Sequence, residues 1–485
     1  MRSLLGVVHL LGSVLSLFSI LFLVPIAVAL YYREPASTAF AVSAALTLAT
    51  GLAIRTLTLR YRTELKPRDG YLLVTLTWVA LAALATMPLL LSLPQLSFTR
   101  AFFETMSGLS TTGATVLSGL DTLPRSLVIW RHALSWLGGM GIIVMAVAIL
   151  PLLGIGGMQM YRADTPGRAK DTKLAPRIAQ TAQLLWLVYA GLTALCAVCL
   201  RGAGMGWFDS VCHAFSALSL GGFSTHDANV AFFNSPLIET VLGFFMLLAA
   251  MNFATHFLAL SKGQAGTYSR DPEAKWLVLW IVFSGIGVSI HVWLSNVYPD
   301  YGTTLRYVAF NLVSVATGSG LYSTDYSRWP VFAPMWMLFL SCVCASSGSP
   351  GGGIKVFRAL VLLKQSAREM FSLVHPQAVA PLKIAGQLVS NRVVFSVLAF
   401  IFLYFITIVV LTFALLISGV DFLSAVSAIV ASINNVGPGL GTVGPGSTYG
   451  HLTDFQLWMC TAAMFLGRVE IFTVLILFTP TFWRK

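Results

Sequence analysis

The stretch Ser107–Val116, SGLSTTGATV, decides how the rest of the chain is read. It follows an amphipathic run, residues 98–106, too short to cross a membrane. Apolar sequence of helix length flanks it on both sides, at 71–93 and 126–153. Ser, Thr and Gly clusters are ordinary turn formers in soluble proteins. Between membrane spans, irregular backbone is tolerated only where it is buried in protein or lines a watery cavity. Gly113 carries the most information, because glycine adopts backbone angles that aim carbonyl oxygens where other residues resist. A single Thr-Thr-Gly says little, so its weight depends on repetition.

The flanking composition fixes the membrane class. Of 485 residues, 57% are hydrophobic and 10% charged, against about 25% charged in a soluble protein. Spans of roughly 20 apolar residues, enough to cross a bilayer as helices, begin with 4–31 and 36–59. The first run is too long for a secretory signal and lacks a polar cleavage zone. The net charge of +12 does not point to nucleic acid: 22 of the 30 Lys and Arg fall at alternate ends of the spans. That asymmetry is the positive-inside pattern and predicts both termini in the cytoplasm. The six cysteines lie in apolar segments, and Cys196-x-x-Cys199 has no second ligand pair nearby. The eight histidines form no cluster with metal-ligand spacing.

After two N-terminal spans (residues 1–69), one unit is used four times, over 70–178, 179–270, 271–375 and 376–485. Each unit is a span, a short half-buried helix, a Gly-rich loop and a returning span. The later short helices are expected at 207–218, 304–315 and 421–433. Their loops read SLGGFSTHD from Ser219, ATGSGLYSTDY from Ala316 and NNVGPGLGTVGP from Asn434. Aligning the short helices places Gly113, Gly222, Gly318 and Gly437 in register, at intervals of 109, 96 and 119 residues, the mark of a duplicated unit. Close helix packing accounts for Gly138, Gly139 and Gly141 but not for a glycine after a half-length helix four times over. Four such units can close a pseudo-fourfold ring. The negative ends of four short helices would then face the centre, and four loops would present rings of carbonyls that replace an ion's hydration shell. Asp121, Asp227 and Asp325 follow the loops, where they would draw cations to the mouth.

Over essentially its whole length the chain resembles the TrkH-type subunits of the Trk/Ktr/HKT superfamily of potassium transporters. The segments FETMSGLSTTGATVL, FSALSLGGFSTHD, NNVGPGLG, SSGSPGGGIKVFR and FLGRVEIFTVL carry the likeness, and the two extra N-terminal spans favour the TrkH type over the Ktr type. The resemblance implies an all-α polytopic protein of the bacterial inner membrane. It implies potassium as the transported ion, no nucleotide bound by this chain, and a homodimer with one pore per protomer. A cytosolic nucleotide-binding ring of the TrkA kind would be the partner, with membrane lipid around the spans. The ion-coordinating residues expected are Thr111, Thr112 and Gly113; Leu220, Gly221 and Gly222; Ala316, Thr317 and Gly318; and Asn435, Val436 and Gly437. The third loop is the loosest match. A serine at the first glycine position goes with sodium permeation in related transporters, so four glycines resemble the potassium version.

Two further features sit at membrane depth. Ser346–Gly353, SSGSPGGG, interrupts the third returning span, and Gly348, Pro350, Gly351, Gly352 and Gly353 cannot continue a helix in lipid. A bland alternative is a loop joining two helices, whereas the resemblance makes it the intramembrane loop that obstructs the pore below the filter. Arg468 stands in the middle of the last span, where a charge costs about 2.5 kcal/mol or more and marks a pathway or a buried partner. A structural pairing with Glu470 or with carbonyls is the alternative. The basic stretches 162–177 and 355–368 are expected to dock the cytosolic ring. A sodium- or proton-coupled transporter is the rival function and would need paired carboxylates in spans that are nearly free of acids. A membrane enzyme would need a nucleophile with its base or a metal cluster, and the sequence offers neither.

Overall fold

The structure, a computed structural model, describes residues 2–61, 66–148, 174–264, 266–378 and 380–484. Among the described residues the regular structure is helical apart from one antiparallel pair of two-residue strands, Lys383–Ile384 and Gln387–Leu388. Among the described residues six helices are long and apolar enough to cross a membrane, or up to eight if each of two bent pairs is one span. The N-terminal pair, Leu4–Tyr32 and Ala36–Leu57, packs through small residues: a Cβ on Gly12 would lie 2.8 Å from the Gly51 carbonyl oxygen, the close approach that glycine permits between membrane helices. This pair leans on unit one through Phe22, stacked 4.5 Å from the Trp130 ring. Glu34 accepts the backbone amides of Arg125 (2.7 Å) and Ser126 (3.0 Å). A carboxylate from the hairpin thereby supplies acceptors for the orphan amides at the start of unit one's returning helix.

The four short helices are Phe98–Leu109, Trp207–Ser219, Tyr301–Thr317 and Phe422–Ile433. Each is amphipathic and ends in a loop that carries no regular structure. The returning helix of unit one, Arg125–Ala148, packs against the short helix of unit two. That of unit two, Pro236–Ala250, packs against the short helix of unit three, and Phe332–Val343 of unit three against that of unit four. The cycle closes because Asp454–Val469 of unit four packs against the short helix of unit one. A linear repeat would leave its first and last units unmatched; this one returns on itself.

Three returning spans depart from straight helices. In unit two, Pro236–Ala250 and Phe253–Ser261 meet at 97°, where Met251 is extended and Asn252 caps the second segment by accepting the Ala254 amide at 2.9 Å. In unit four, Asp454–Val469 and Ile471–Phe478 meet at 106° about Glu470, whose φ of +65° breaks the helix. In unit three, Phe332–Val343 and Val356–Val374 flank the SSGSPGGG loop. The sequence marks units two and four only as having a returning span, and the structure bends both. Neither bend falls on a proline or glycine, and each has a polar group at it, the Asn252 cap in one and Glu470, paired with Arg358, in the other.

Two of the short helices are capped by a carboxylate where they begin. Asp300 and Asp421 accept the amides of Thr303 (2.8 Å) and Ser424 (3.0 Å) as N-caps, and those amides hold both carboxyls below the usual range. Replacing Asp421 with Ala removes the cap and costs about 1 kcal/mol. A depressed folded pKa means the contribution is present at neutral pH and fades as pH falls through the carboxylate range. Thermal unfolding of Asp421→Ala and the parent should differ at pH 7 and converge in acid; a constant difference across that range would rule the cap out as its cause.

Candidate ion pathway

The four loops leave their helices by the same backbone route. An amide bonds back five residues in each: Thr112 to the Ser107 carbonyl, Gly221 to Ser216, Ser319 to Ser314 and Val436 to Ala431, all at 2.8 Å. The residue before that amide is left-handed, with φ of 56° at Thr111, 55° at Leu220, 85° at Gly318 and 55° at Asn435. The residue after it is a left-handed glycine: Gly113 (80°), Gly222 (68°), Gly320 (77°) and Gly437 (94°). The register glycine of the third loop is thus Gly320. The expected alignment on Gly318 is corrected by two residues, since Ala316 and Thr317 belong to the last turn of the helix and Gly318 stands where the other loops have Thr111, Leu220 and Asn435. The physical reason is length: the Thr317 hydroxyl bonds back to the Val313 carbonyl at 2.7 Å and the helix runs two residues further than expected.

These glycines meet one another around a closed ring. An ideal Cβ on Gly113 would lie 2.5 Å from the Gly221 carbonyl oxygen, and one on Gly437 would lie 2.6 Å from that of Thr112. A Cβ on Gly222 would collide with the Ser319 carbonyl and one on Gly320 with that of Val436. Four carbonyls, from Thr112, Gly221, Ser319 and Val436, are each seated against the glycine of the neighbouring loop. Asn435 ties the first and last loops, donating to Thr112 Oγ1 (3.0 Å) and to the Met464 carbonyl (3.1 Å). The Gly437 carbonyl itself accepts the Tyr449 hydroxyl at 2.8 Å.

A cavity of about 260 Å³ on the charge-poor side is lined by Gly113, Gly222, Gly320 and Gly437 together with Asp227 and Tyr322. Of the three loop acids, Asp227 lines this cavity and accepts the Leu120 amide at 3.0 Å. Asp121 is bonded to His226, a contact that lowers its carboxyl pKa, and Asp325 pairs with Arg328 at 3.1 Å.

Beneath the ring, on the opposite side from this cavity, lies Ser346–Gly353. A Cβ on Gly351 would be 3.2 Å from the Thr317 carbonyl oxygen and 3.5 Å from Leu220 Cδ1, and one on Gly352 would be 2.9 Å from Asn435 Oδ1. The loop therefore touches the ends of the short helices of units two, three and four. Gly348 and Gly353 both have positive φ. Arg468, only 1% exposed, donates to the Pro350 carbonyl and, at 2.7 Å, to the Gly138 carbonyl. Of the two alternatives for this arginine, carbonyl pairing is the one found; Glu470 instead pairs with Arg358 at 3.0 Å. Lys355 and Arg358 are also buried, so the stretch 355–368 does not present them as a docking face. Arg162, Arg168, Lys170 and Lys173 lie outside the described residues.

A buried ion pair escaped the sequence reading. Glu104 of the first short helix accepts Arg131 Nε at 2.7 Å, Thr115 Oγ1 at 3.0 Å and the Val116 amide at 2.9 Å. The Arg131 guanidinium lies 4.2 Å from the centre of the Phe223 ring. The pair fastens the loop after Gly113 to its own helix and reaches the loop of unit two. Its signal was present as two opposite charges, each inside a stretch that should be buried.

The chain is similar to known proteins over nearly its whole length. Residues 36–485 match the TrkH family, described as a cation transport protein. The chain is 43% identical over 481 residues to the Trk system potassium uptake protein TrkH of Salmonella typhimurium, and 42% identical over 482 residues to that of Escherichia coli, with 99% of each chain covered in both cases. A crystal structure of the potassium transporter TrkH from Vibrio parahaemolyticus superposes with a TM-score of 0.91 at 42% identity, covering 100% of this chain and 99% of that one.

Removing one member of a buried pair strands the other charge, at a cost of about 3–5 kcal/mol. Arg131→Met should sharply lower the melting temperature of the detergent-solubilised protein, and Glu104→Gln added to it should recover much of the loss. Equal melting of Arg131→Met and the parent would show that the pair does not hold the loop.

Proposed function

The chain belongs to the TrkH family of cation transport proteins, and from that premise we propose that it conducts potassium across the bacterial inner membrane through the ring of Thr112, Gly221, Ser319 and Val436 carbonyls. The observation that carries this reading is the repeated pattern of left-handed residue, ring carbonyl and left-handed glycine in all four loops. Alternating backbone handedness turns successive carbonyls to one side, which an extended strand cannot do, and carbonyl oxygens at fixed positions stand in for the water a potassium ion sheds. The negative ends of the four short helices add to the attraction for a cation. Ions move down their electrochemical gradient and no covalent chemistry is involved.

Ser346–Gly353 acts as the gate. Its position under the ring supports this role, as does its hold by Arg468, a cation placed where it also limits occupancy by other cations. The functional assembly is a homodimer regulated by a cytosolic nucleotide-binding ring, with both termini in the cytoplasm. For docking, Lys364 and Arg368 are the partly exposed basic residues of the stretch 355–368. The coupled-transporter reading lacks a free carboxylate among the described residues at membrane depth: Glu104 and Glu470 pair with arginines, and Glu273 accepts the Ser347 amide.

The ring is tested by the potassium-to-sodium flux ratio in liposomes. Serine at Gly113, Gly222, Gly320 or Gly437 brings a Cβ against a neighbouring carbonyl and should lower that ratio by about tenfold, the equivalent of roughly 1.4 kcal/mol. Gly318→Ser, with no atom nearer than 3.7 Å to its Cβ position, should change it less. A larger effect at Gly318 than at Gly320 would return the third loop to its alternative register. The gate has its own test: deleting Gly348–Gly353, or replacing Arg468 with Ala, should raise potassium flux. A correctly folded deletion with parental flux would remove the loop from the pathway.

A further inference from the structure

The gate loop is held at a second place, away from Arg468. Its first three residues are bound to the bend of unit two and to the start of the following span. The Ser346 amide donates to the Ala250 carbonyl at 2.9 Å, and the Phe253 amide donates to the Gly348 carbonyl at 3.4 Å. The Ser347 amide donates to Glu273 Oε2 at 2.6 Å. Glu273 is 6% exposed and stands in the first turn of Pro272–Leu294. A carboxyl group with so little access to water needs a donor, and the Ser347 amide supplies one.

The segment between those two attachment points is braced within itself. Thr255 donates to Asp271 Oδ2 at 2.7 Å, His256 Nδ1 bonds Tyr268 Oη at 2.8 Å, and His256 Nε2 bonds the Leu248 carbonyl at 2.9 Å. Phe253–Lys262 and Gly266–Arg270 therefore form one elbow that joins the bend to Glu273. The elbow lies at the basic end of the spans, where Gly266–Arg270 has no buried residue. A displacement of the elbow moves both grips on residues 346–348 together.

Resting on the gate reading above, we infer that Glu273 is a positioning residue which holds the gate loop closed, and that the 252–273 elbow is the element through which a force from the cytosolic side reaches the gate. Arg468 holds the loop at Pro350 from unit four; Glu273 and the bend hold its beginning from units two and three. Release at the Glu273 end frees Ser346–Gly348 without disturbing the carbonyl ring, so flux rises and ion preference stays.

The experiment is a double-mutant cycle on basal potassium flux, with the purified chain in liposomes and no partner protein present. Glu273→Ala should raise flux on the order of tenfold, the effect of losing one buried hydrogen bond from the closed state. Glu273→Gln retains an acceptor oxygen and should behave close to the parent. In the background lacking Gly348–Gly353, Glu273→Ala should add nothing, because the tether then has no gate to hold. The potassium-to-sodium ratio should stay at the parental value in both single variants. If Glu273→Ala does not fold, Asn252→Ala, which uncaps the elbow beside Gly348, gives the same readout and the same expected loss of effect in the deletion background. Parental flux in a folded Glu273→Ala, an equal rise with and without the loop, or a Gln variant as active as the Ala variant would each overturn the tether. If the deletion alone leaves flux unchanged, the gate reading fails instead, and the two failures are told apart.

Discussion

The structure depends on four close approaches of a backbone carbonyl to a glycine that leave no room for a side chain. Thr112, Gly221, Ser319 and Val436 each press a carbonyl oxygen onto the glycine of the adjacent loop, where a methyl group has no room. Glycine is required there twice over: for its positive φ, and for its missing side chain. The second demand is the stronger, since a strained residue can be held in place by its surroundings but overlapping atoms cannot. Thr111, Leu220 and Asn435 show the difference, because they keep side chains at φ of 55–56° one step away from the ring. The order of helix contacts follows the same cycle, each returning helix packing against the short helix of the next unit.

Around this ring the fold buries charge and breaks helices, both costly in a membrane. Each cost has a local partner. Arg131 is matched by Glu104, Arg358 by Glu470, Arg468 by two carbonyls and Glu273 by the Ser347 amide. None of these groups lies in the ring itself. They hold the pieces of irregular backbone, the loop after Gly113 and the stretch Ser346–Gly353, against rigid helices. Each of these polar contacts ties irregular backbone to a helix that is itself packed in the core.

Much of this was legible in the chain itself. Apolar span lengths, the alternation of basic loops and the fourfold return of a short helix followed by glycine gave the architecture, because membrane burial and backbone conformation act directly on residue type. The third loop was misplaced by two residues. ATGSG contains two glycines, and only the helix end, fixed by the Thr317 back-bond and the Gly318 cap, chooses between them. The bends at Asn252 and Glu470 were missed for a related reason, since they arise from a side-chain cap and a distant arginine and not from a helix-breaking residue. The Glu104–Arg131 pair was visible only as two unexplained charges, 27 positions apart, and nothing local told them to meet.

We propose that one ring, made by these four loops in this register, binds the transported ion. Crystals grown or soaked in rubidium or thallium would locate that ion by its anomalous scattering. A peak is expected inside the ring formed by Thr112, Gly221, Ser319 and Val436, with Ser319 and not Thr317 as its contact in unit three. A peak bounded by Ala316–Thr317, or heavy cations bound only outside the four loops, would contradict it.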